Sequence, residues 1–136
     1  MPNVPHRDTE LTAQRDRWWE ALLGSLAADD DWVARGLLPV GRTARSDERL
    51  GRLFPFISMS RLCFSRSTWP FTNDCPTIEV DPTGRYHVYA RPYSEPTNDD
   101  GPIFVLGRDL GPDEAVLIAA AAVPNDVEVW VRTSRR

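Results

Sequence analysis

Around Phe56 the apolar residues change period, and that change constrains the fold more than any other feature of the chain. Upstream, Leu11, Trp18, Leu22 and Leu26 recur near one helical face, with Trp19 and Leu23 widening it. Downstream, apolar residues alternate with polar ones, as in a strand with one buried face. One more helical run comes late, before a last alternating stretch. The pattern predicts an α+β fold: N-terminal helices followed by an antiparallel sheet of about four to five strands, with one helix before the last strand. Too few strand–helix alternations are present for a doubly wound parallel sheet. The 136 residues suit one compact domain over 1–136. Residues 1–7, with Pro2 and Pro5, read as a flexible arm.

Local signals place the elements. Asp8 or Thr9 caps a first helix to about Leu26, and Asp29 to Asp31 caps a short second one that stops at Gly36. Pro39 to Arg45 reads as a brief linker, and Ser46 opens a third short helix ending before Pro55. Ile57 and Met59 share one strand parity and Leu62 and Phe64 the other, which predicts a bend or bulge near Ser60 and Arg61. Asp81-Pro82-Thr83-Gly84 is a hairpin turn, because Pro presets its first angle and Gly accepts a left-handed one. That turn sets a register in which Val80 faces Tyr86 and Ile78 faces Val88 on the core side. Glu79 with His87, and Thr77 with Tyr89, pair on the other face. Arg91 to Pro102 is a loop, Ile103 to Leu106 a central strand, and Pro112 to about Val123 a helix. Val127, Val129 and Val131 point inward from the final strand.

Composition removes several classes of function. No run reaches the roughly 18 apolar residues of a membrane span, and the first ten residues lack a signal-peptide core, which points to a cytoplasmic protein. All sixteen basic residues are Arg, so Schiff-base catalysis and a phosphate-loop lysine are excluded. The net charge of −4 argues against nucleic acid as a partner. Cys63 and Cys75 lack zinc-site spacing and read as small core residues, so no metal is expected. Scattered glycines and the absence of a nucleotide loop point to no cofactor.

The densest chemistry lies between Ser65 and Asp74. Arg66 offers a planar fork of donors for a carboxylate or phosphate. Ser65, Thr68, Thr72 and Asp74 add polar anchors and Trp69 a flat apolar wall, the usual make-up of a ligand-binding pocket. The alternative for the same residues is an Arg66–Asp74 pair across a turn, with Trp69 plugging the edge of the core. Glu79 and His87 form a candidate acid–base pair, since a carboxylate favours the charged imidazole. No catalytic signature is readable, and turnover is left open.

The run LFPFISMSRLCFSRSTWPFTNDCPTIEV, with the later GRYHVYARP, IFVLG and EAVLIAAAAVP pieces, resembles an uncharacterised family of small actinobacterial proteins labelled natural product biosynthesis proteins. The similarity covers about Trp18 to Pro124 and is strongest in LFPF, LCFSRST and the spaced Pro70, Thr72, Asp74 and Pro76. The family pattern carries a His where this chain has Met59. The resemblance implies a secondary-metabolite context and supplies no mechanism.

Together these features predict a cytoplasmic protein that binds a small-molecule intermediate, with a cofactor-independent tailoring step as an extension. The alternative is a protein–protein interaction module that presents the basic Arg42–Arg66 surface to a pathway protein. A homodimer is expected if Trp130 is exposed on an edge strand.

Overall fold

The computed structural model describes residues 4–69, 71–91 and 104–131, with side chains from Thr9 onward. Helices α1 (Val4–Ala28) and α2 (Trp32–Ser46) lead through a short 3₁₀ turn, Leu50–Arg52, into the sheet. Strands β1 (Phe54–Ser58), β2 (Arg61–Ser65), β3 (Thr77–Val80), β4 (Tyr86–Tyr89) and β5 (Val105–Leu110) pair antiparallel in chain order. Helix α3 (Pro112–Ala121) follows β5. The fold is α+β as expected, with the late helix after the last strand. Beyond α3 the expected final strand is reduced, among the described residues, to a single parallel bridge between Ser67 and Trp130. Val127 and Val129 still pack against the core from there.

The core lies between the helices and one face of the sheet. Leu62, Phe64, Ile78, Val80 and Val88 line the sheet side, against Trp19, Leu37, Val40 and Ala44 from α1 and α2, and Ala115, Val116 and Ala119 from α3. Trp19 is 1% exposed, and its indole N–H donates to Leu53 O at 3.0 Å, so burial leaves no orphan donor.

Several boundaries differ from the sequence reading for definable reasons. Helix α1 starts at Val4, ahead of Asp8 and Thr9, and Pro5 falls in its first turn, where a missing N–H breaks no intrahelical bond. Helix α2 does not stop at Gly36 but runs on through Pro39 and Gly41 to Ser46. Its buried residues Leu37, Val40 and Ala44 keep helical spacing across the expected linker. Gly36 is there for proximity: a Cβ at that position would sit 2.6 Å from Val80 Cγ2, and Tyr86 donates its hydroxyl to Gly36 O at 2.7 Å. The third helix shrinks to the 3₁₀ turn, nucleated by Asp47, whose carboxylate accepts from Arg49 N at 2.9 Å and Leu50 N at 3.0 Å.

The expected bulge near Ser60 is a hairpin turn. Ser58 pairs with Arg61 and Ile57 with Leu62, so Met59 and Ser60 form the turn, and reversing the chain accounts for the change of parity. Met59 sits at φ 57° and is 89% exposed, a left-handed conformation uncommon for a non-glycine residue. The β3–β4 hairpin has the expected register throughout, with Gly84 at φ 86° and Asp81 N donating to Arg85 O at 2.9 Å. Strand β5 is an edge rather than a central strand. Residues 92–103, which hold most of the expected loop and Ile103, lie outside the described residues.

Candidate functional site

The segment between β2 and β3 is irregular and partly buried, so its inward-facing backbone groups need partners that no ladder supplies. Side chains provide them. Ser65 Oγ donates to Ser67 O at 2.7 Å and accepts from Thr72 N at 2.8 Å and Ser67 N at 3.2 Å. Thr72 Oγ1 accepts from Arg66 N at 3.0 Å. Thr68 is buried, and its carbonyl accepts from Ser67 Oγ at 3.1 Å. Ser65 and Thr72 therefore knit the loop, and their hydroxyls face inward.

Arg66 and Asp74 do meet. Two guanidinium nitrogens lie 3.0 and 2.8 Å from Asp74 Oδ2, and the guanidinium sits 5.1 Å from the centre of the Trp130 ring. Partial burial pushes the Asp74 carboxyl up, but hydrogen bonds from Arg66 and Thr72 outweigh it and hold it below the ordinary value. A cavity of about 360 Å³ opens beside the pair, with Cys75, Val123, Asp126 and Glu128 in its lining. Arg66 faces Asp74 across this lining, so Asp126 and Glu128 leave it net negative. Trp130 is half-buried under Arg66, so the exposed edge-strand tryptophan on which the homodimer was conditioned is not found.

Trp69 takes no part in that cavity. It is 73% exposed and meets Phe71 edge-on at 5.3 Å. Phe71 stacks on Phe56 at 4.0 Å and meets Trp18 at 5.6 Å, and Trp18 meets Phe54 at 5.4 Å. The loop thus splits the six candidate residues: Arg66 and Asp74 turn towards α3, Ser65, Thr68 and Thr72 stay inside, and Trp69 joins an aromatic run leading to α1.

That run ends at a groove of about 540 Å³ between α1 and the edge strand β1. Its α1 wall is one stripe, Gln14, Arg17, Trp18, Ala21, Leu22, Ser25 and Leu26, with steps of three and four. Pro55 and Ile57 of β1 form the other wall, and proline is tolerated there because edge strands leave some N–H groups unpaired. Ala21 and Ser25 are small and exposed, which keeps the trough open between Trp18, Leu22 and Leu26. Only Arg17 in this lining is charged. Sequence periodicity does reveal Trp18 and Leu22, but a helical apolar stripe looks the same whether it faces the core or a groove.

The polar face of the sheet holds the third arrangement. Arg61, Glu79 and His87 lie in one row across β2, β3 and β4. The side chains of Glu79 and His87 nevertheless part. Glu79 accepts from Tyr89 Oη at 2.7 Å and from Arg61 Nε at 3.4 Å, while His87 Nε2 lies 2.8 Å from Asp81 Oδ2. His87 Nδ1 accepts from Asp109 N at 3.3 Å, which assigns the proton to Nε2 and engages both ring nitrogens. Hydrogen bonds from Thr83 and then His87 hold the Asp81 carboxyl far below its ordinary value, and burial followed by Glu79 raises the Tyr89 phenol. The cluster clasps β4, its turn and β5 together.

The thiols are quiet. Burial pushes Cys63 up to about 11, and burial followed by the Asp74 charge pushes Cys75 up to about 12, so neither is a thiolate at neutral pH.

Most of the basic segment is engaged internally. Arg49 donates to Ala120 O at 3.4 Å and Val123 O at 3.2 Å, and Arg52 donates to Asn125 O at 2.6 Å. These contacts serve the carbonyl end of α3, which has no basic residue in its own last turn. Arg45 reaches Asp16 at 3.9 Å and Glu20 at 3.6 Å. Sequence signals missed the α3 contacts because the partners are backbone carbonyls some 70 residues away.

The profile of DUF6193, a family of unknown function, matches residues 16–134. The chain belongs to that family. The matched span takes in the β1 wall of the groove and the α1 wall from Arg17 onward, the Arg66–Asp74 loop and the sheet. No curated protein and no solved structure matches the chain. Among the described residues no helix is long and apolar enough to cross a membrane, and no group of His, Cys, Asp and Glu could hold a metal ion.

Proposed function

We propose that this DUF6193 protein binds a small-molecule intermediate, and that it does so in the groove between α1 and β1. The observation that supports the reading is the groove itself. A volume of about 540 Å³, apolar walls from Trp18, Leu22, Leu26, Pro55 and Ile57, and a few polar groups at the rim match what small-molecule sites require. Trp69 contributes through the aromatic run rather than through Arg66. The resemblance to actinobacterial natural product biosynthesis proteins supplies the context, a secondary-metabolite pathway in the cytoplasm. If turnover accompanies binding, positioning in the groove would be its basis.

The rival reading, an interaction module built on the Arg42–Arg66 surface, loses support because Arg45, Arg49, Arg52, Arg61 and Arg66 all have internal partners. Native mass spectrometry tests the proposal. Protein equilibrated with an extract of its producing cells should carry a small-molecule adduct, and Ala21→Phe, which fills the trough from an exposed position, should lose it. No adduct, or an equal adduct on the variant, overturns the reading.

A further inference from the structure

We propose that the α1–β1 groove takes an organic carboxylate with an extended apolar body, its head group held at Arg17 and its chain lying along Trp18, Leu22 and Ile57. This rests on the groove being the ligand site and adds the chemical class. Charge favours an anion. Arg17 is the one ionic group in the lining, and it makes no ion pair or hydrogen bond with any described residue. Its neighbours differ: Arg15 donates to Arg52 O at 3.2 Å, and Arg45 holds Asp16 and Glu20. An unpaired guanidinium at the rim of an apolar trough lacks a planar anion, and a carboxylate matches its fork.

Shape favours an extended body. The lining runs from Gln14 to Leu26 on one helix, so the trough is roughly 18 Å long at 1.5 Å per residue. Arg17 lies towards one end and Leu26 towards the other, which polarises the groove from charged to apolar along its length. Gln14, one turn before Arg17, can donate its side-chain amide to the same head group. A compact polar ligand would leave most of the apolar wall wet, and a cation would meet Arg17. An amphipathic anion uses both ends.

Isothermal titration with three probes that share a ten-carbon chain, each kept below its solubility or micelle-forming limit, tests the class: decanoate, decanol and decyltrimethylammonium. Wild-type protein should bind decanoate about fivefold or more tightly than decanol, and the ammonium most weakly. The preference should shrink as salt rises, because an exposed charge contact is screened. Arg17→Ala should remove the decanoate preference and leave decanol binding unchanged, and Arg17→Glu should transfer the preference to the ammonium. Arg17 and Ala21 are both exposed, so their variants should keep the wild-type urea midpoint. Equal binding of decanoate and decanol, or an unchanged preference in Arg17→Ala, overturns the carboxylate class while the groove stands. Failure of all three probes to bind, or full binding to Ala21→Phe, overturns the groove reading and this inference with it.

Discussion

Gly36→Ala puts the helix–sheet packing to a quantitative test. In a helix interior this change ordinarily stabilises by about 0.5–1 kcal/mol, because alanine restricts the unfolded chain and favours the helix. Here the added Cβ would lie 2.6 Å from Val80 Cγ2, closer than real Cβ contacts come, and a tight 3.1 Å from Cγ1. Val80 is 1% exposed and β-branched, so its χ1 is restricted and its side chain has little room to swing. Overpacking of this kind costs about 1–3 kcal/mol. The clash should win, leaving Gly36→Ala less stable by roughly 1 kcal/mol. In a Val80→Ala background the obstructing methyls are gone, and the same change should become neutral or stabilising. The double-mutant cycle should therefore show a favourable coupling of about 1–2 kcal/mol. Urea unfolding followed by far-ultraviolet circular dichroism on the four proteins measures it. An increase in stability for Gly36→Ala alone, or additivity within about 0.3 kcal/mol, would refute the close approach of α2 to β3.

Other outcomes follow from the same contacts. Arg49→Ala should cost about 1–2 kcal/mol in urea unfolding, since it removes two donors and a cation from the carbonyl end of α3. Arg49→Lys should restore part of that. The carboxyls of Asp74 and Asp81 are held low in the folded state, so the stability they provide is present above roughly pH 4 and is lost as pH falls through their folded values. An acid titration of Asp81→Asn should accordingly show a flatter fall than wild type below that pH. Cys63 and Cys75, with thiols near 11 and 12 and both buried, should resist a thiol reagent at pH 7.5 until the protein is unfolded. Rapid labelling of native protein would contradict the burial.

The sheet was legible where short-range chemistry decides it. The Asp81–Gly84 turn fixes its own register, and every pair from Thr77–Tyr89 to Val80–Tyr86 follows from counting outward. Helix α2 was hidden by Gly36 and Pro39, residues that locally signal a stop. Its continuation is decided by burial of Leu37, Val40 and Ala44 against elements distant in sequence. The β1–β2 turn was hidden because Met59, which takes the left-handed conformation, is not a residue a tight turn usually employs.

The site was legible in part for the same reason. The concentration of Ser and Thr after β2 is visible in sequence, but whether hydroxyls face a ligand or their own backbone depends on the loop's path. Ser65 and Thr72 bond the backbone. The pairing of Arg66 with Asp74, eight residues apart, was within reach of sequence reasoning, and the departure of Trp69 towards Phe71 and Trp18 was not. The groove joins α1 to an edge strand some 30 residues later, and such a juxtaposition leaves no local pattern.

Indole N–H resonances give the most direct measurement of the central claim, because the chain has five tryptophans and they report on separate places. Trp18 lines the groove, Trp69 caps the aromatic run, Trp130 lies under Arg66, and Trp19 and Trp32 serve as core and surface controls. On titration with decanoate, the account predicts saturable movement of the Trp18 resonance with Trp32 and Trp130 unmoved. Movement at Trp130 with Trp18 unmoved would contradict it and assign the ligand to the Arg66 cavity.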